Sequence, residues 1–229
     1  MIIAEDDASD RILSGANGDD IQGDNEDITV EFRLDNAVFD LTGIWTDAQI
    51  DTVGRVFDNI FDRTQAQQLL ADTNGGNSIR YIKGDDIEPG SENVAGQLTV
   101  RLENWADSDS TARQEAIDSI IRQIGLNWSD PAVINDSFAG SGSFVSIFDD
   151  VSDWTEGTDV PDGYLASLDG EWFHLEDAEF FTETGRTNPA NDWADMWVFT
   201  FNDVPSDLND IARLAPKSAV LDAFFDSLS

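Results

Sequence analysis

Residues 117–130 read IDSIIRQIGLNWSD, and the spacing of their apolar side chains decides what kind of element they build. Ile117, Ile120, Ile121 and Ile124 recur at helical intervals, which puts them on one face of an α-helix. Thr111 and Gln114 offer a capping box at its start, and Gly125 suits its end. Upstream the period changes from helical to two. Residues 28–34 (ITVEFRL), 78–82 (SIRYI) and 97–102 (QLTVRL) alternate apolar and polar side chains, as half-buried strands do. After the first of these, Thr46 and Gln49 form another capping box. It opens a helix whose Ile50, Val53, Phe57, Ile60 and Phe61 make a single apolar stripe. The order strand, helix, strand, strand, helix predicts a mixed α+β domain. Residues 72–77, 83–93 and 135–170 are rich in Gly, Ser and Asp and are predicted to be loops.

Ile124, Gly125, Asn127 and Trp128 match the frame of the HEIGHNWD-type metallopeptidase domains found beside calcium-binding repeats in secreted bacterial proteins. The stretch therefore resembles that family's zinc helix. On such a helix two His at i and i+4 hold Zn²⁺, and the intervening Glu acts as general base on the metal-bound water. In this register Arg122 stands at the first His, Gln123 at the Glu and Leu126 at the second His. Arg carries a fixed positive charge, an amide does not take up a proton at neutral pH, and Leu has no lone pair.

A second block, FFTETGRTNPANDWADMW at 180–197, resembles the family's later segment, in which a Gly-Arg-Thr-Asn-Pro turn leads into an acidic helix. Residues 217–228 resemble its closing helix. The resemblance spans residues 28–229. It implies a zincin-like fold with a twisted, mostly N-terminal sheet, an equivalent of the active helix, and a helical C-terminal part. It also implies that the acidic helix helps complete the metal site, with Asp192 and Asp195 at the corresponding positions and either one the match to a ligand. With the His pair gone, no catalytic residue and no zinc are expected, and Arg122 is expected to replace the metal's charge by pairing with Asp192 or Asp195.

Residues 1–27 read as a leader of a different kind. Residues 10–23, DRILSGANGDDIQG, resemble about one and a half of the Gly-rich, Asp-bearing nonapeptides of RTX proteins, in which Asp ligates Ca²⁺ and the following aliphatic packs into a parallel β-roll. Asp10, Asp19, Asp20 and Asp24 are its calcium candidates. A second carboxylate cluster, Asp149, Asp150 and Asp153 in FDDVSDW, offers hard oxygen ligands of the type Ca²⁺ takes. Asp159 with Asp162, and Asp85 with Asp86 and Glu88, are further candidate clusters of the same pattern.

Composition narrows the function. The chain holds 12 Lys plus Arg against 47 Asp plus Glu, a net charge of -35, and its lysines are Lys83 and Lys217 alone. Such a field repels phosphate backbones, so nucleic acid is not expected as a partner. Yet seven Trp and fourteen Phe require a folded core, and bound Ca²⁺ or high ambient salt would reconcile that core with the charge. No apolar run is long enough to span a membrane. The first residues lack a cationic start and a long apolar stretch, so export is expected to follow a route such as bacterial type I secretion. The absence of Cys removes disulfides and thiol catalysis. His174, the one histidine, sits among aromatic residues and is expected to pack rather than react.

These readings converge on a secreted or cell-surface, acidic, calcium-binding protein whose inactive metallopeptidase-like fold serves in binding or assembly. Its partner would be a protein or peptide, or another copy of itself. Two alternatives stand beside this one. The first is an active extracellular hydrolase with an unorthodox site, and the second is a calcium-bridged matrix or filament subunit.

Overall fold

The computed structural model describes residues 2–3, 11–14, 21–22, 29–34, 37–42, 45–64, 79–94, 97–129, 148–202 and 208–227. The fold is mixed α+β and divides into two compact units, residues 1–123 and 124–229.

The first unit is built on strands β1 (Ile2–Ile3), β2 (Arg11–Ser14), β3 (Ile21–Gln22), β4 (Thr29–Leu34), β5 (Ala37–Thr42), β6 (Ile79–Gly84), β7 (Gly90–Val94) and β8 (Gln97–Glu103). Helix α1 (Asp47–Thr64) joins β5 to β6, and α2 (Ser110–Asn127) follows β8. Six strands form one sheet in the order β2-β4-β5-β6-β8-β7. Its centre, β5-β6-β8, is parallel, while β4 with β5 and β7 with β8 are antiparallel hairpins. A parallel pair needs a crossover, and α1 supplies it. The stripe read from the sequence faces inward, since Ile50, Val53, Phe57 and Ile60 are all buried. They share the core with Ile79 and Tyr81 of β6, which alternate with exposed Arg80 and half-exposed Ile82, and with Leu98, Val100 and Leu102 of β8.

Strands β5 and β7 fall where no strand was expected. The pattern in β5, AVFDLT, breaks its alternation at Val38, and β7, GSENV, is a mostly polar edge strand. The paired ends are close in sequence: Leu34 faces Ala37 and Val94 faces Gln97, with Asp35-Asn36 and Ala95-Gly96 between them. The leader also enters the sheet. In the β2–β4 pair Arg11 lies opposite Thr29 and Ser14 opposite Phe32, an offset of 18 residues (29 − 11). In β1–β3 Ile2 lies opposite Ile21, an offset of 19 (21 − 2). Two nonapeptides span 18 residues, which equals the first offset and is one short of the second. The pairing runs across residue 27, the boundary expected from sequence.

The second unit contains the end of α2, a helical segment at 148–152, β9 (Thr155–Glu156), β10 (Tyr164–Ala166) and β11 (Trp172–Leu175). A 3₁₀ turn (Thr184–Arg186) leads to α3 (Pro189–Phe201), and α4 (Leu208–Asp226) follows. The three strands make an antiparallel sheet in the order β10-β11-β9, with β9 and β10 inside the tract expected to be loop and β11 just beyond it. Asn188 caps α3 by accepting a hydrogen bond from the Asn191 amide at 2.9 Å, and Pro189 occupies the first turn, where no amide hydrogen is needed. The core is aromatic. Trp193 and Trp197 of α3 pack on Phe224 and Phe225 of α4, with Trp128 and Phe148 against the same cluster. Gly125 is inside α2 rather than beyond its end, for a steric reason: a Cβ there would come within 2.9 Å of Cγ of Trp197.

Candidate functional site

The second unit buries a charge pair beneath its aromatic core. Asp192, in the first turn of α3, and Lys217, in α4, are both shielded from solvent, at 0% and 3% exposure. The Lys217 ammonium donates to both carboxylate oxygens of Asp192 at 2.7 Å. Ser152 Oγ and Trp154 Nε1 each donate to Asp192 Oδ2 at 3.0 Å. Lys217 also donates to the Glu179 carbonyl at 2.5 Å and lies 4.1 Å from the centre of the Phe180 ring. Burial pushes the Asp192 carboxyl up and the Lys217 ammonium down, and each group opposes the other's shift by favouring its charged form. The pair is buried and both carboxylate oxygens accept hydrogen bonds, at one of the two positions, Asp192 and Asp195, where the resemblance expects a metal-site carboxylate.

Asp195, one turn further along α3, is also fully buried. Its Oδ2 accepts hydrogen bonds from the amide and the hydroxyl of Thr182, both at 2.8 Å. Asp149 stands on the helical segment that carries Ser152. Burial, then the negative charges of Asp192 and Asp150, push its carboxyl up to about 7. Its Oδ1 is buried without a hydrogen-bond partner.

The carboxylates of FDDVSDW serve different ends. Asp149 turns toward the Asp192 site, Asp150 is exposed, and Asp153 accepts a hydrogen bond from the Tyr164 hydroxyl. Asp153 has a φ of 50°, and the bonds from its amide to the Asp150 carbonyl and from the Trp154 amide to the Asp149 carbonyl make it the left-handed cap of the helical segment. Among the described residues no three His, Cys, Asp or Glu side chains form a group able to hold a metal ion. Asp10, Asp19, Asp20 and Asp24 lie outside the described residues.

The residues aligned with the zinc motif lie on α2. Gln123 is buried and accepts a hydrogen bond from Ser91 Oγ of β7 at 2.8 Å, which fixes its amide as a strut. Arg122 and Leu126 are half-buried. The counter-charge of Asp192 comes from Lys217 on α4. No protein-family model matches the chain, and no curated protein does.

His174 packs as expected. It is 1% exposed, with ring centroids 5.3 Å from Trp154 and 4.8 Å from Phe180. Its Nδ1 lies 2.8 Å from the Leu175 carbonyl, which only accepts, so Nδ1 carries the proton, and the buried Nε2 has no partner.

One cluster went unread in the sequence. Where β5, β6 and β8 end at their carboxyl termini in the first unit, Lys83 lies 5.0 Å from the ring centre of Trp45 and 5.4 Å from that of Trp105. Its ammonium donates to Gln49 Oε1 and, at 2.9 Å, to Asn104 Oδ1. Burial holds Lys83 down to about 8, against the upward pull of Asp107 and Asp85. Both lysines of the chain thus sit against aromatic faces with oxygen acceptors, as internal cations. The signal available in the sequence was their scarcity: in so acidic a chain, two lysines mark two places where a compact positive charge is needed.

Proposed function

We propose that the chain is a non-catalytic, calcium-stabilised protein of the cell exterior, in which a zincin-like fold is kept for binding or assembly. The observation that carries this reading is the state of Asp192. A carboxylate meant for a metal needs an oxygen open to it, whereas Asp192 is fully buried, its charge is met by Lys217 at both oxygens, and Oδ2 also accepts from Ser152 and Trp154. On α2, Arg122, Gln123 and Leu126 offer no zinc ligand, and Gln123 is tied to Ser91. A mostly parallel sheet leading directly into α2 supports the zincin-like element order. Calcium is supported by the 18-residue stagger of β2 on β4 and by the net charge of -35, which divalent cations would offset.

The test is metal analysis by mass spectrometry on protein purified without chelator, with melting curves and a casein assay on the same sample. Calcium in stoichiometric amount, no zinc, a raised Tm with added Ca²⁺ and intact casein are expected. Stoichiometric zinc, or cleavage of casein that chelation abolishes, would overturn the reading in favour of a hydrolase.

A further inference from the structure

Of the four large apolar side chains exposed among the described residues, three fall in one short stretch of the second unit: Val160 at 54%, Leu165 at 40% and Leu168 at 61%. The stretch contains β10, the outer strand in the order β10-β11-β9. The hydrogen bonds around the β10–β11 pair reveal which backbone groups face outward. The Glu176 amide donates to the Gly163 carbonyl at 3.0 Å, and the Ser167 amide donates to the Trp172 carbonyl at 2.8 Å. In an antiparallel ladder the bonded positions alternate, so 163, 165 and 167 turn toward β11 while Tyr164 and Ala166 turn away. The Tyr164 amide is taken by the Pro161 carbonyl and the Leu168 amide by the Arg186 carbonyl, both at 3.2 Å. That leaves the Tyr164 carbonyl and both backbone groups of Ala166 with no strand beside them among the described residues. Open backbone groups between exposed aliphatic side chains form a template for one added strand.

The charge around that edge selects the occupant. Residues 148–185 contain no Lys or Arg, Arg186 beside Leu168 is paired with Glu183 at 3.3 Å, and the exposed Asp159, Asp162, Asp169 and Glu171 flank the apolar side chains. A second copy would bring the same acidic face to the same edge, and nucleic acid or an anionic membrane would be repelled as well. A cationic strand is attracted instead.

We propose that the outer edge of β10 receives an extended, cationic segment of a partner protein, whose aliphatic residues pack on Leu165 and Leu168 while its Lys or Arg residues meet Asp159, Asp162, Asp169 and Glu171. The proposal rests on the binding reading above and names the class of partner that this face takes.

The experiment is a fluorescence-anisotropy titration of the full chain with a short labelled peptide of alternating Val and Lys, beside an all-Lys peptide of equal length. The peptide is recovered and weighed by mass spectrometry afterwards. Tight binding of the alternating peptide is expected, weakened by about tenfold or more in Leu165→Asp/Leu168→Asp and again in Ala166→Pro, which removes the outward amide hydrogen. Circular dichroism of each variant confirms that the fold is kept. Equal binding of the all-Lys peptide, or variants that bind as the parent does, would reduce the effect to charge and overturn the proposal. A dimer of the free chain that Leu165→Asp dissociates would also overturn it, by placing a second copy on the edge. Hydrolysis of the bound peptide would overturn the non-catalytic reading alone, and leave the docking edge standing.

Discussion

Lys217 does at Asp192 what a bound cation does at a carboxylate, and breaking that pair tests how far the second unit depends on it. Lys217→Met leaves a buried carboxylate with two neutral donors, and removing one member of a buried pair costs about 3–5 kcal/mol. Denaturant unfolding should therefore place Lys217→Met well below the parent, while Lys217→Met with Asp192→Leu should cost less than the two single changes summed. Additive losses would mean the two groups do not act as a pair. The third member, Asp149, sets a pH dependence. Its folded carboxyl is raised from 3.8 to about 7, so the folded chain holds a proton that the unfolded chain has lost across that window. The contribution is therefore fully present below 3.8 and is lost as pH rises through about 7. Asp149 is half-buried, and with solvent screening the effect is about 1 kcal/mol. In Asp149→Asn the slope of stability against pH between 4 and 7 should flatten, read from melts at several pH values, and an unchanged slope would assign it elsewhere. At this scale the sequence singled out Asp192, Asp195 and Asp149 but not their partners. Asp192 and Lys217 lie on different helices, and only packing of α3 on α4 brings them together.

Helices were legible where local chemistry closes on itself. The capping box at Thr46 forms as read, with the Gln49 amide donating to Thr46 Oγ1 at 3.2 Å and the Thr46 amide to Gln49 Oε1 at 3.1 Å. At α2 the cap is Asp109 instead of Thr111: its Oδ1 accepts from the amides of Thr111 at 3.0 Å and Ala112 at 3.1 Å. A carboxylate at that position both fills the open amides and suits the positive end of the helix, so it wins over a hydroxyl two residues later. Asp109→Ala should lower stability by about 1 kcal/mol in denaturant unfolding, whereas Thr111→Val should cost much less. Gly125 shows the opposite case, in which a residue typical of helix ends is set by packing. Replacing it with Ala adds helix propensity worth about 1 kcal/mol but drives a methyl into the buried Trp197 ring. The expected outcome of Gly125→Ala is a net loss of about 1–2 kcal/mol, and a more stable variant would show that the α2–α3 contact relaxes freely. Strands β5 and β7 escaped the pattern because periodicity reports half-buried strands, and neither a central strand with broken alternation nor a polar edge strand has that signature.

For the whole molecule the deciding quantity is charge. With 47 acids and 12 bases, at least 35 carboxylates stay uncompensated however the pairs are drawn (47 − 12). Both lysines are held inside, at 7% and 3% exposure, so neither can neutralise the surface. Exposed pairs such as Arg213–Glu179 and Arg101–Glu92 are each worth less than about 1 kcal/mol and do not alter that balance. Self-repulsion among the remaining carboxylates then opposes folding, and solution conditions can change it. The screening length falls from about 30 Å at 0.01 M salt to about 3 Å at 1 M, so Tm should climb steadily with NaCl over that range. Screening responds to ionic strength alone, whereas a bound ion follows a saturating law in its own concentration. A CaCl₂ series held at constant ionic strength with NaCl therefore separates the two. An additional rise in Tm that levels off, and that magnesium does not reproduce, is the expected result for a chain with ordered calcium sites. Coincident curves for calcium and sodium at equal ionic strength would assign the stabilisation to screening and leave the acidic turns as solvated surface.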